Sequence, residues 1–271
     1  MKRTIIYCNM IAVLLLIAAV TSCSKKKELP IEEEELSFTN IGSVSNLPGL
    51  GKSDDMPEGI PFELPKGLRF VSRPDHPFDP DLSKLHGNMN TFYVDVNIER
   101  DSSWKEDKLL TFPPGLVMLN VAPSRIQNGM LMGRVRINVP PNGRGPGGKK
   151  DTITVYLGVA CMNSSKGLPW EDNQEPDTRN YVIGKGTHMP YVVAINAEVL
   201  KFLSLLEDKP HLNLTRHQNP LDVYDPDYIE PEWMKPYNTI QTMFWKITDG
   251  YGLEEADIRE LLKAIEKPKG K

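Results

Sequence analysis

Asp151-Thr-Ile-Thr-Val-Tyr-Leu-Gly-Val-Ala-Cys161 decides the fold class of this chain. Its apolar residues recur at every second position, with Ile153, Val155, Leu157, Val159 and Cys161 on one side. Side chains alternate across a strand, so this period predicts a strand with one apolar face. Upstream, Met130 to Val139 repeats the pattern. Leu131, Val135, Ile137 and Val139 point inward, and Met132, Arg134, Arg136 and Asn138 point outward. The loop Asn142-Gly-Arg-Gly-Pro-Gly-Gly148 joins the two strands, and the arrangement predicts a hairpin. That loop is not a phosphate cradle, because neither Gly-Lys-Ser/Thr nor a helix follows it. Thr91 to Ile98 is a further strand, with Phe92, Val94, Val96 and Ile98 on one face and Tyr93, Asp95 and Asn97 on a solvated one. Leu116-Val-Met-Leu119 is another, after the turn Pro113-Pro114-Gly115.

Strands with polar outer faces predict an antiparallel β-sandwich over residues 60–162, immunoglobulin-like by analogy of architecture. From Asn163 the period changes. Asn163 to Pro190 reads as a long loop carrying Trp170 and Tyr181. Asn196 is a helix N-cap ahead of the stripe Val199, Phe202, Leu203 and Leu206, which Pro210 ends. A second loop, to Pro231, carries Asp222, Asp225, Asp227 and Glu230 beside Tyr224 and Tyr228. Ile240, Met243, Phe244 and Ile247 mark the next helix, which Asp249-Gly-Tyr-Gly252 breaks. Glu254 and Glu255 suit the positive start of the last helix, whose buried stripe is Ile258, Leu261, Leu262 and Ile265. The predicted class is therefore α+β: a sandwich followed by a C-terminal three-helix part, residues 163–271, packed on it.

The start of the chain has a different character. Lys2 and Arg3 precede an uncharged run from Thr4 to Val20, the layout of a secretory signal. Val20-Thr21-Ser22-Cys23 resembles the lipobox of bacterial lipoproteins. The resemblance implies removal of residues 1–22 and acylation of Cys23 with palmitate-type chains on its thiol and amino group. Several acyl chains exceed the single-chain case, where membrane binding is marginal and reversible. Ser24, where family members retained at the inner membrane carry aspartate, implies anchoring in the cell outer membrane. Residues 23–59 then read as the lipidated cysteine and a disordered tether. Lys25 to Lys27 and Glu32 to Glu35 are charged, and no apolar period follows them.

A net charge of −4 sets up no field that would draw nucleic acid, so none is expected as a partner. The chain has three cysteines; with Cys8 removed and Cys23 acylated, Cys161 is left without an intramolecular disulfide partner. On the apolar face of its strand, Cys161 is expected to behave as a buried hydrophobe. Tyr-Leu-Gly-Val-Ala-Cys161-Met-Asn163 and Thr239-Ile-Gln241-Thr-Met-Phe-Trp245 together resemble bacterial thioester adhesin domains. Those domains pair a strand cysteine with a glutamine in a Thr-Gln-x-Ala-like helix. The family's alanine is replaced, and Thr239 lies one residue early. The resemblance implies an internal thioester between Cys161 and Gln241 that captures an amine of a host molecule.

Asp222, Asp225, Asp227 and Glu230 offer the hard oxygens that calcium prefers, though not at EF-hand spacing. Trp170, Tyr181, Tyr224, Tyr228 and Trp233 lie on or beside the long loops, as ligand contacts or as seals over the core. The histidines show no His-Glu-x-x-His spacing, and no Gly-x-Ser-x-Gly elbow is present. Nothing singles out two carboxylates among the 36 acidic residues for glycosidase work. The leading expectation is a lipid-anchored, non-enzymatic binding or structural protein of the cell envelope, its partner an envelope or host protein or a glycan. A thioester adhesin is the first alternative and a carbohydrate-processing enzyme the second.

Overall fold

The computed structural model describes residues 36–71, 85–121, 126–141, 152–167, 188–216 and 225–267. The expected signal peptide, Cys23 and the first part of the expected tether lie outside the described residues. The chain divides into a unit ending at Ser37 and one from Phe38 to Lys271, and all the described secondary structure belongs to the second.

The described residues up to 121 carry seven strands: β1 (Ile41–Gly42), β2 (Ile60–Pro61), β3 (Leu68–Phe70), β4 (Leu85–Gly87), β5 (Phe92–Arg100), β6 (Lys108–Phe112) and β7 (Leu116–Asn120). β8 (Gly129–Met130), β9 (Val135–Val139), β10 (Thr152–Cys161) and β11 (His188–Val193) follow. Helix α1 (Ala197–Leu206) comes next, then α2 (Lys235–Thr248), β12 (Gly252–Leu253) and α3 (Glu255–Ala264). The main sheet runs β2-β11-β7-β8-β10-β5-β3, with β4 added in parallel beside β10. It is otherwise antiparallel and curls into a half-barrel. β6 and β9 form a separate ribbon, and β1 pairs with β12. The class is α+β as expected, but a curled sheet with a ribbon stands where two facing sheets were expected.

Three expectations fail for physical reasons. The hairpin of β9 with β10 does not form: β9 pairs with β6, and only β8 meets β10, at Ala160 and Cys161. The chain leaves the sheet after Met130 and turns at Gly133, whose missing side chain leaves room for the Asn88 amide. Met132, expected outside, is buried. Second, β5 is buried on both faces rather than half-buried. Its second face carries a hydrogen-bonded set in which Asn97 donates to Asp95 and accepts from Thr154. Polar side chains can sit in a buried face when they satisfy one another. Third, the packed chain begins at Phe38 rather than at residue 60. Ile41, Val44 and Leu50 are buried, and Asn163, fully buried, donates to the carbonyls of Gly49 and Gly51 while accepting from Asn128 N–H. These contacts are remote in sequence, so no local period betrays them.

The main core gathers Phe92, Val94, Val96 and Ile98 of β5 with Val155, Leu157, Val159 and Cys161 of β10. Leu110, Phe112, Val135 and Ile137 of the ribbon pack onto the same cluster. The helices form as their sequences require. Asn196 caps α1, accepting from the N–H groups of Glu198 and Val199. Glu254 and Asp257 make a reciprocal capping box at the start of α3.

A close approach organises the centre of the sheet. β4 lies along one edge of β10 and β5 along the other, so residues 88–91 must cross over β10. The crossing passes directly above Gly158, where a Cβ would stand 1.9 Å from the Met89 carbonyl oxygen and 2.5 Å from Leu214 Cδ1. Only glycine fits beneath it. Gly158→Ala is expected to destabilise the fold by at least about 2 kcal/mol, since backbone must shift to make room. Urea unfolding of the variant against the unmutated protein measures this.

Candidate functional site

Tyr237, Gln241 and Trp245 follow one another at four-residue steps, so they lie along one side of α2. Tyr237 packs with Tyr93, Tyr156 and Leu214 on one face of the sheet, and its hydroxyl donates to the Leu212 carbonyl at 3.2 Å. Trp245 packs against the core cluster on the other face. Gln241, midway between them, meets the sheet in its own plane.

What it meets is an interrupted ladder. The pairing of β5 with β10 ends at Phe92 opposite Val159. Met162 N–H donates to Asn128 on the β8 side, so the backbone groups of Cys161 face the other way, toward the place β5 has left. Gln241 fills that place. Cys161 N–H donates to Gln241 Oε1 at 2.8 Å, and Gln241 Nε2 donates to the Cys161 carbonyl at 3.1 Å. The side-chain amide thus acts as the missing peptide of the ladder. These two bonds also fix which end of the amide is oxygen. A third bond falls on the same oxygen: Thr91 Oγ1 donates to it at 2.8 Å.

The junction is dry. Cys161 is fully buried and Gln241 is 5% exposed. Gln241, one step off the apolar stripe of its helix, therefore faces the sheet rather than solvent. Cys161 takes no part in a disulfide, and its side chain belongs to the core cluster with Phe92, Met118 and Val159. The two sequence patches that resemble the thioester family do meet, through the peptide of Cys161. Two buried donors follow the same elements without an acceptor among the described residues: Asn90 Nδ2, one residue before Thr91, and Trp245 Nε1, one turn after Gln241.

His188 on β11 is also buried. Its Nε2 lies 3.0 Å from the Gln127 carbonyl, and its ring rests 5.4 Å from that of Phe92. Burial pushes its pKa down from 6.5 to about 4, so it is held neutral.

The other expected sites are not assembled in this way. Asp225, Asp227 and Glu230 are exposed, and Asp225 spends an oxygen on the Asp227 N–H at 3.0 Å, closing a turn. Asp222 lies outside the described residues, and among those described no three metal-ligating side chains come together. Tyr228 is half-buried against Met234 Sδ, and Trp233 sits edge-on to Tyr237 at 6.1 Å, as a seal over the core. Trp170, Tyr181 and Tyr224 lie outside the described residues. Glu198 and Asp257 line one cavity of about 630 Å³. Hydrogen bonds from Lys201 and Lys246 respectively hold both below the usual carboxylate range. A glycosidase acid needs the opposite shift.

Sequence reasoning missed Thr91, which reads only as the start of a strand, and Asn163. Among the described residues no helix is long and apolar enough to cross a membrane. No protein family, no curated protein and no solved structure matches the chain.

Two outcomes follow from this geometry. Gln241→Leu leaves the Cys161 N–H and carbonyl buried without partners, at a cost of about 3 kcal/mol in unfolding free energy, read by denaturant titration. Acidification should weaken the fold through His188. The unfolded chain takes up this proton near pH 6.5 and the folded one only near pH 4. The unfolded state therefore binds more protons between those values, and stability falls as pH drops through that window. His188→Gln is expected to flatten that part of the stability–pH curve.

Proposed function

We propose that this chain is a lipid-anchored envelope protein that captures its partner covalently through an internal thioester between Cys161 and Gln241. One observation carries the reading. The Gln241 carboxamide lies buried against the backbone of Cys161, with two donors on its oxygen and its nitrogen donating to the Cys161 carbonyl.

Each part of that arrangement suits the chemistry. A primary amide is a poor electrophile, and hydrogen bonds to its oxygen draw electrons from the carbon. Attack by the Cys161 sulfur forms a sulfur–carbon bond and breaks the carbon–nitrogen bond. The thiol proton leaves with the nitrogen as ammonia. Burial keeps water, the competing nucleophile, away from the product. A primary amine then attacks the same carbon, restores the thiol and remains as a substituted amide on residue 241. The lysine side chains of a host or envelope protein, or an amino sugar, present such amines. The amide is docked on the backbone of Cys161, the residue that carries the attacking sulfur, and Cys23 as an acylated anchor in the outer membrane would place this centre where partners pass.

A second reading, a non-covalent binding module, has its own support. A cavity of about 830 Å³ lies between β9 and α1, lined by Asn88, Arg134, Arg136, Ser204, Lys209 and Asn213. Asn88 Oδ1 is buried there without a partner among the described residues.

Incubating the full chain with methylamine, then digesting and weighing the peptides, separates the two. Covalent capture requires the Gln241 peptide to emerge as its N-methyl amide, with Cys161 becoming open to alkylation only after the amine is added. Cys161→Ser should abolish both changes. If both peptides keep their sequence masses and Cys161 in the denatured, untreated chain is alkylated at once, no thioester exists.

A further inference from the structure

We infer that Thr91 is a catalytic residue of this centre, supplying with the Cys161 N–H an oxyanion hole for both the formation and the opening of the thioester. The inference rests on the thioester reading and adds a residue that neither sequence patch contains.

Attack on the Gln241 carbon, by the Cys161 sulfur or later by an amine, passes through a tetrahedral centre whose oxygen carries the negative charge. That oxygen is Oε1 in either direction. Two donors already point at it, Cys161 N–H at 2.8 Å and Thr91 Oγ1 at 2.8 Å. They come from different elements, β10 and the segment entering β5, so they approach the oxygen independently. A donor set in place before charge develops needs no reorganisation as it forms, and it acts most strongly where water is excluded. Gln241 is buried, and Thr91 is half-buried at the edge of the junction.

The fold fixes the hydroxyl. Thr91 ends the segment that crosses β10 above Gly158, and Phe92 then locks into the ladder opposite Val159. Holding the helix in place does not require this third bond. Gln241 already satisfies both backbone groups of Cys161, so the docking of α2 is complete without the threonine hydroxyl.

The test uses the full chain and the rate at which labelled methylamine enters residue 241. Thr91→Val keeps the shape and removes the donor, and the expected rate loss is about 100-fold, as for removal of one oxyanion-hole donor. Thr91→Ser restores the hydroxyl and should recover the rate to within about tenfold of the unmutated chain. Unfolding midpoints of each variant show that folding is retained; should Thr91→Val unfold, Thr91→Ala carries the same comparison. Incorporation by Thr91→Val at the unmutated rate overturns the role of Thr91 while leaving the thioester standing. So does a folded Thr91→Ser as slow as the valine form. If the unmutated chain takes up no methylamine, the thioester reading itself falls, and this role falls with it.

Discussion

A strand whose last residue has a neighbouring strand on one side only governs how this molecule is assembled. β10 is the strand on which β4, β5 and β8 all converge, yet β5 stops short of Cys161. A buried peptide group without a partner costs about 1–3 kcal/mol, so the gap has to be filled. The protein fills it with a side chain rather than with another strand. The amide of Gln241 has the donor and acceptor spacing of a peptide, and it docks α2 across the edge of the sheet. Tyr237 and Trp245 then fall on opposite faces, and one helix seals both.

The crossing of residues 88–91 makes that gap. By passing over β10 the chain changes edge, and the ladder restarts only at Phe92. Gly158 permits the crossing, Thr91 ends it, and Gln241 occupies what it leaves open. Packing, backbone pairing and the polarised amide are therefore one arrangement, and none can be altered without the others. The enclosure that makes an ion expensive at His188 also keeps water from Gln241.

Local period made much of this readable. Strands β5, β7 and β10 and the apolar stripes of all three helices follow from residues a few places apart, as do the caps at Asn196 and Glu254. Partnership did not. β9 has the period of a strand, but nothing in that period says that β6 rather than β10 lies beside it. β1 and β12 are two residues each, too short to carry any period, and they are strands only because they find each other. The half-buried character assigned to β5 failed because its second face is polar and buried, and only three-dimensional pairing of Asp95, Asn97 and Thr154 makes that tolerable. Cys161 and Gln241 could be named from their flanking residues. Their meeting at the Cys161 peptide, and the presence of Thr91, belong to topology.

The pairing of β1 with β12 also has a mechanical side. Tension arriving through the residues before Phe38 reaches the folded unit at Ile41 and Gly42, which grip Leu253 and Gly252. The next bond along, Val44 N–H to the Ile247 carbonyl at 2.9 Å, transfers load to the last turn of α2. That helix carries Gln241 two turns earlier. The element that would bear a pull on the start of the folded unit is thus the one that holds the Gln241 amide against the Cys161 peptide, so a single helix links the two.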